Sequence, residues 1–278
     1  MFNLITNMNG FGLEQDARLL TAELECRGHS AAVLQFDRPQ RAKADANVFL
    51  EVVTPPMLTL APKNYLVPNP EWFFDWDLSR FDRVFAKTRD AERIFNTRVN
   101  GRCSYLGWRS RDLYRPEIKR ERRFLHVAGK SQFKGTQAVI DGCALAGVPL
   151  SLVTDGLGRL PDDQLAEMFN SHMFFLCPSQ YEGYGMVLHE ALSCGAIVIT
   201  TDAAPMNEIA PALLIKPASA KRHQLAELHS VTDEGVAEAV TVALSMSDEE
   251  LTGWRLTARL AYETEVRNFG LALDKAMA

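Results

Sequence analysis

Apolar and polar positions alternate along the chain with two different periods. Residues 2–6 (FNLIT) are a short β-rich run. Leu13, Ala17, Leu20 and Leu24 then recur at helical spacing, up to Arg27-Gly28-His29, where Gly28 suits the left-handed residue that follows a helix. AAVLQF, NVFLEVV, YLVP and DRVFAK follow as apolar or β-branched runs separated by Pro, Gly or polar residues, and RDAERIF reads as a helix after the last. The pattern restarts after the basic stretch Arg115–Arg123. It predicts strands at FLHVAG, PLSLVT, HMFFLCPS, GAIVITT and ALLIK, interleaved with helices at about 137–146, DDQLAEMFN and GMVLHEALSC and a short helix at PMNEIA. From Asp233 onward the apolar spacing is mostly helical. Strand and helix in alternation predict parallel sheets, here in two α/β halves that meet near residues 115–123. Only between Pro55 and Asp75 do five prolines break the pattern.

The 278 residues, 47% hydrophobic and 23% charged, suit two compact domains with real cores and argue against disorder or a coiled coil. No apolar run is long enough for a membrane span, and the start lacks the basic character of a signal peptide, so a cytoplasmic protein is expected. Five widely spaced cysteines without a CxxC suggest neither a disulfide framework nor a zinc site. The net charge of −5 conceals an asymmetry: residues 1–123 hold 20 Lys and Arg against 16 Asp and Glu. Residues 80–123 alone hold 14 basic against 6 acidic, interleaved with aromatics. Such a stretch is either a solvated face leading into a linker or a surface for an anionic acceptor, DNA among them.

The most specific chemistry lies in YEGYGMVLHEALSCG, residues 181–195, between two predicted strands. Two acids, Glu182 and Glu190, flank a Gly-rich turn and the start of a helix. Gly183 and Gly185 permit close backbone approach, and the N–H groups that open the helix favour a phosphate or sugar oxygen. Glu190 lies further along the helix axis by about 1.5 Å per residue, so the two acids address different parts of an elongated ligand.

This stretch resembles the E-x7-E signature of retaining GT-B glycosyltransferases, especially glycosyltransferase family 4. TTDAAPMNEI resembles the donor-side loop that follows it, HVAGKSQFKGT the Gly-Arg…Lys-Gly loop upstream, and DQLAEMFNSHMFFLCPS the helix and strand before the acidic motif. The resemblance implies an α/β GT-B architecture, two Rossmann-like parallel-sheet domains with a cleft between them. Residues 1–122 would form a compact acceptor-side domain and residues 123–278 the nucleotide-sugar domain, with the final helices crossing back to the first. It implies transfer from a nucleotide-diphosphate sugar, a UDP- or GDP-sugar, without metal or other cofactor and with retention. Glu190 would hold the ribose hydroxyls and Glu182 the donor sugar, while Gly183, Tyr184, Gly185 and Met186 offer backbone amides. Lys134, with Ser131 and Lys130, would neutralise the diphosphate as the bond to the sugar breaks. Lys130 departs from the usual Arg and offers a point charge instead of a fork. Gly10 and Gly12 would let the first loop approach the donor phosphate.

The expected acceptor is a saccharide or glycoconjugate, with a hydroxymethylated base in DNA as the alternative. A catalytically silent sugar-nucleotide sensor is another reading, because the first-domain His that the resemblance implies cannot be placed, and a sugar-nucleotide epimerase on the same two-domain architecture is a third. Gly10-Phe11-Gly12 lacks the third glycine of a dinucleotide fingerprint, Gln15 standing there. Asp75-Trp76-Asp77 matches a metal-binding DxD but conflicts with the second-half motifs. His126 and His172, on apolar strands, read as core histidines.

Overall fold

The computed structural model describes residues 1–8, 12–38, 43–154 and 160–277. The chain folds as two compact units, Met1–Arg109 with Asn268–Ala278, and Ser110–Arg267.

The first unit is built on six parallel strands, β1 (Phe2–Thr6), β2 (Ala31–Gln35), β3 (Ala46–Leu50), β4 (Lys63–Val67), β5 (Arg83–Ala86) and β6 (Cys103–Tyr105), in the order β2-β1-β3-β4-β5-β6. Helix α1 (Gly12–Cys26) buries Leu13, Ala17, Leu20 and Leu24, the stripe its sequence spacing predicts. Gly28 follows it at φ 77°. Helix α2 (Arg89–Val99) starts where Thr88 accepts from the Ala91 amide and ends at Asn100 in the left-handed region. The proline-rich interval holds β4 and short 3-10 turns at Pro55–Thr59 and Pro70–Trp72. β6 has three residues and no apolar periodicity, so the sequence reading passes over it. The chain's last residues pack here: Phe269 lies 5.2 Å from the Trp108 ring, and Arg27 bonds Asp274 at 2.6 Å and the Gly270 carbonyl at 3.1 Å.

The second unit has five parallel strands, β7 (Glu121–Gly129), β8 (Leu150–Thr154), β9 (His172–Leu176), β10 (Ile197–Thr201) and β11 (Ala212–Ile215), in the order β11-β10-β9-β7-β8. Its helices are α3 (Thr136–Leu145), α4 (Asp162–Ser171), α5 (Met186–Ser193), α6 (Asp233–Ser245) and α7 (Asp248–Met277), the last continuing into the first unit's residues. Side chains alternate across the sheet. Leu125, Val127, Phe175 and Val198 meet Phe169 of α4, Leu188 of α5 and Tyr262 of α7, whereas Phe124, Phe174, Ile197 and Ile199 meet Val139 of α3 and Val236 of α6. Both faces are thus covered, which is why these strands read as continuous apolar runs. Helices α3 and α6 approach so closely that a Cβ on Gly142 would lie 2.6 Å from that of Val236. An antiparallel hairpin, β12 (Ser219–His223) and β13 (Ala226–Ser230), completes the unit. Its polar sequence gives no strand signal.

Candidate functional site

In the second sheet the chain leaves β7 for β8 on one side and then crosses to β9 on the other. That reversal of strand order opens a crevice beyond the carboxyl ends of β7 and β9, where open α/β sheets bind ligands. Two loops meet there: residues 130–135 after β7 and residues 177–185 after β9. They carry Lys134 and Glu182, whose Nζ and Oε1 stand 2.5 Å apart with each side chain 12% exposed. Ser179 also donates to Glu182 Oε1.

The loops are tightly secured. Gln180 donates its amide to the Phe133 carbonyl at 2.7 Å, and Thr200 and Thr201 of β10 bond the Cys177 and Ser179 carbonyls at 2.8 and 2.7 Å. His126, fully buried on β7, bridges the Leu176 carbonyl through Nδ1 (2.7 Å) and the Thr136 hydroxyl through Nε2 (2.9 Å). Burial pushes its pKa down to about 4, so it is neutral near pH 7. His172 is satisfied likewise, by the Met168 carbonyl and the Ser151 hydroxyl, both at 2.8 Å. Both are core histidines, as expected. The hairpin backs the loops: Phe133, Tyr181, Ala226 and Leu228 form one apolar cluster, and the His229 amide bonds the Gln180 carbonyl at 2.8 Å. Ser131, Gly135, Thr136, Pro178, Gln180 and Ser230 line a pocket of about 250 Å³.

Gly185 caps α5 at φ 85°, where a Cβ would meet Leu188 at 2.9 Å. A side chain there meets both strain and a clash. The Leu188 and His189 amides return to the Gly185 carbonyl, leaving those of Met186 and Val187 ahead of the helical ladder. Gly183 and Tyr184 are buried, and Tyr184 stacks on His189 with ring centroids 4.1 Å apart. One turn further into α5, Glu190 is buried and receives Arg111 Nε on its Oε1 at 2.6 Å. Arg111 also reaches Asp162, 3.1 Å away at the start of α4. Burial pushes the Glu190 carboxyl above its ordinary value against the pull of Arg111.

Lys130 and Ser131 are exposed on the loop after β7, Ser131 accepting from the Phe133 amide at 3.2 Å. Gly12 opens α1 in the first unit, and Gly10 lies outside the described residues. The structure therefore joins Lys134 to Glu182 and sets Glu190 on the helix that follows. Arg111, which sequence reasoning passed over inside the basic stretch, enters as Glu190's partner.

Much of the basic stretch at residues 80–123 is ion-paired. Residues up to Arg109 lie in the first unit and the rest in the second. Arg89, Arg93, Arg98, Arg109, Arg111, Arg115 and Arg122 are ion-paired with Glu92, Asp90, Asp75, Glu23, Glu190, Asp163 and Asp248 respectively. Arg120 bonds the carbonyls of Phe169, His172 and Cys194. Asp75 stands 3.7 Å from Arg98, and Asp77 caps a 3-10 turn through the Ser79 amide. In the first unit the carboxyl ends of β3 and β5 carry Glu51 and Lys87. Glu51 sits at φ 66°, accepts from Asn69 at 2.6 Å, and has its carboxyl pushed up by burial. Lys87 is buried against Asp16 at 2.5 Å. No helix of the described residues is long and apolar enough to cross a membrane.

Two parallel-sheet α/β units in one chain are the architecture of the GT-B fold. Residues 118–220 match the model of the family described as glycosyl transferases group 1. A glycosyltransferase from Rickettsia africae superposes at a TM-score of 0.69 with 11% identity, over 99% of this chain and 96% of its own. HepE from Anabaena, solved with UDP and glucose, superposes at 0.68 with 12% identity, over 99% and 98%. O-antigen chain mannosyltransferase B of Escherichia coli is 36% identical over 53 residues, which is 19% of this chain and 14% of that protein. The expected resemblance to GT-B glycosyltransferases is borne out.

Proposed function

We propose that this chain transfers a sugar from a nucleotide-diphosphate sugar to an acceptor hydroxyl on a saccharide or glycoconjugate, with retention and without a metal. The observation that carries this reading is the Lys134–Glu182 pair at the mouth of the second sheet, 2.5 Å apart, with Glu190 on the next helix. Lys134 supplies positive charge where the diphosphate gains negative charge as the sugar leaves, with Lys130 and Ser131 alongside. An interaction that strengthens toward the transition state accelerates the reaction. Glu182 accepts from donor-sugar hydroxyls, Glu190 from the ribose, and the amides at Gly183–Met186 bond ligand oxygens. The solved complex of HepE with UDP and glucose supports a UDP-sugar donor. The second unit takes the donor side and the first unit the acceptor side. The family resemblance supports retention and metal independence.

The test is a thermal-shift panel of UDP-, GDP-, ADP- and dTDP-sugars with and without EDTA, followed by assay of nucleotide release. One nucleotide sugar raising Tm, insensitive to EDTA and ineffective on Glu190→Gln, is expected. Slow hydrolysis of that donor without acceptor separates a working transferase from a silent sensor, and proton NMR of the donor separates it from an epimerase. No shift with any donor refutes the reading.

A further inference from the structure

We propose that Arg111 is the positioning residue that keeps Glu190 an ionised acceptor for the two ribose hydroxyls of a nucleoside diphosphate, an inference that rests on the donor-site reading above. A vicinal diol presents two O–H donors, and a carboxylate accepts both, whereas a protonated carboxyl turns one oxygen into a competing donor. Glu190 is 2% exposed, and burial favours its neutral form. The charges facing it from packed elements are Arg111 on the segment before β7, Asp162 at the start of α4 and Lys134 on the loop after β7. The Cys194 thiol lies at the end of its own helix. Lys134 and Asp162 act in opposite senses, so the contact from Arg111 Nε to Glu190 Oε1, at 2.6 Å, is the main pull toward the ionised form against the push of burial. The guanidinium is held in turn by Asp162 at 3.1 Å, so its planar fork spans two carboxylates. Lysine supplies the charge without the fork.

The experiment measures UDP and GDP affinities by calorimetry from pH 6.5 to 9 for the wild type, Arg111→Gln, Arg111→Lys and Glu190→Gln. Expressing each Kd relative to wild type cancels the nucleotide's own titration. For Arg111→Gln the relative Kd is expected to rise up to about tenfold for each unit the pH falls, and to approach one at pH 9, the signature of one linked proton. Arg111→Lys is expected to stay flat. A pH-independent loss in Arg111→Gln would mark a merely structural arginine and overturn the proposal, as would unchanged affinity. A second measurement needs no Arg111 variant: the carboxyl carbon-13 resonance of Glu190, assigned with Glu190→Gln, should be that of a carboxylate at pH 7. A neutral carboxyl at pH 7 with Arg111 in place refutes the inference. Wild-type affinity in Glu190→Gln for both nucleotides would instead refute the donor-site reading, and the carbon-13 titration would still decide what Arg111 does to its partner.

Discussion

Replacing Lys134 by Met removes the cation and keeps most of the apolar stem, leaving Glu182 to the Ser179 hydroxyl. Breaking a fully buried pair from one side costs about 3–5 kcal/mol. Both side chains here retain 12% exposure, so water can reach the stranded carboxylate and the expected loss is about 2 kcal/mol. For a chain of this size that lowers Tm by about 4–8 °C. Lys134→Met/Glu182→Gln should lose less than the sum of its single changes, with a coupling of about 1–2 kcal/mol measured by urea unfolding. Activity should behave differently. If Lys134 meets the diphosphate in the transition state, kcat/KM for the donor falls about 10²–10³-fold, and the double variant regains none of it. Additive stability losses would refute the ion pair as an energetic unit. A single variant with kcat/KM within threefold of wild type would refute Lys134 as the phosphate cation, whatever its stability.

Glu182→Gln should lower kcat with little change in nucleotide affinity, and Glu190→Gln should raise KM and Kd, because one addresses the reacting sugar and the other a uniformly bound ribose; steady-state kinetics with calorimetry separate them. Gly142→Ala gains up to about 1 kcal/mol in helix propensity, but its Cβ would sit 2.6 Å from Val236 and 2.7 Å from the Asp233 carbonyl. Overpacking of about 1–3 kcal/mol should therefore make it net destabilising in urea, while Gly253→Ala, with open space around it, should stabilise by about 0.5–1 kcal/mol. His126, with its folded pKa pushed down to about 4 by burial against an ordinary 6.5, takes up its proton in the unfolded chain first. Stability contributed by neutral His126 is thus present above pH 6.5 and lost between there and about pH 4, by up to about 3 kcal/mol; His126→Asn should flatten the urea-midpoint profile across that window.

The elements of the second unit were legible because their burial repeats locally. A strand covered on both faces must be apolar throughout, as HMFFL of β9 is, and a helix with one buried side repeats its apolar residues, as DDQLAEMFN of α4 does. The loop chemistry was legible where residue type is dictated by backbone or charge, as at Gly185 and at Lys134 before Gly135. The hairpin at residues 219–230 was not. Its β12 strand is largely exposed and carries Lys, Arg and His, and the buried apolar residues of β13, Ala226 and Leu228, find Phe133 and Tyr181 at long range. The partners of the basic stretch were hidden for a related reason: composition counts charges, whereas only folding supplies the acids that face them.

The sequence by itself determined two parallel α/β halves and the order of a Lys-Gly loop and an E-x7-E helix, because periodicity, turn geometry and helix-start chemistry act over a few neighbouring residues. Tertiary structure alone decided that Lys134 and Glu182, 48 positions apart, share one ion pair, and that Glu190 is held by Arg111 from 79 positions away. A charge acts through space, and the neighbours that set its energy are chosen by the packing of the sheet and its loops.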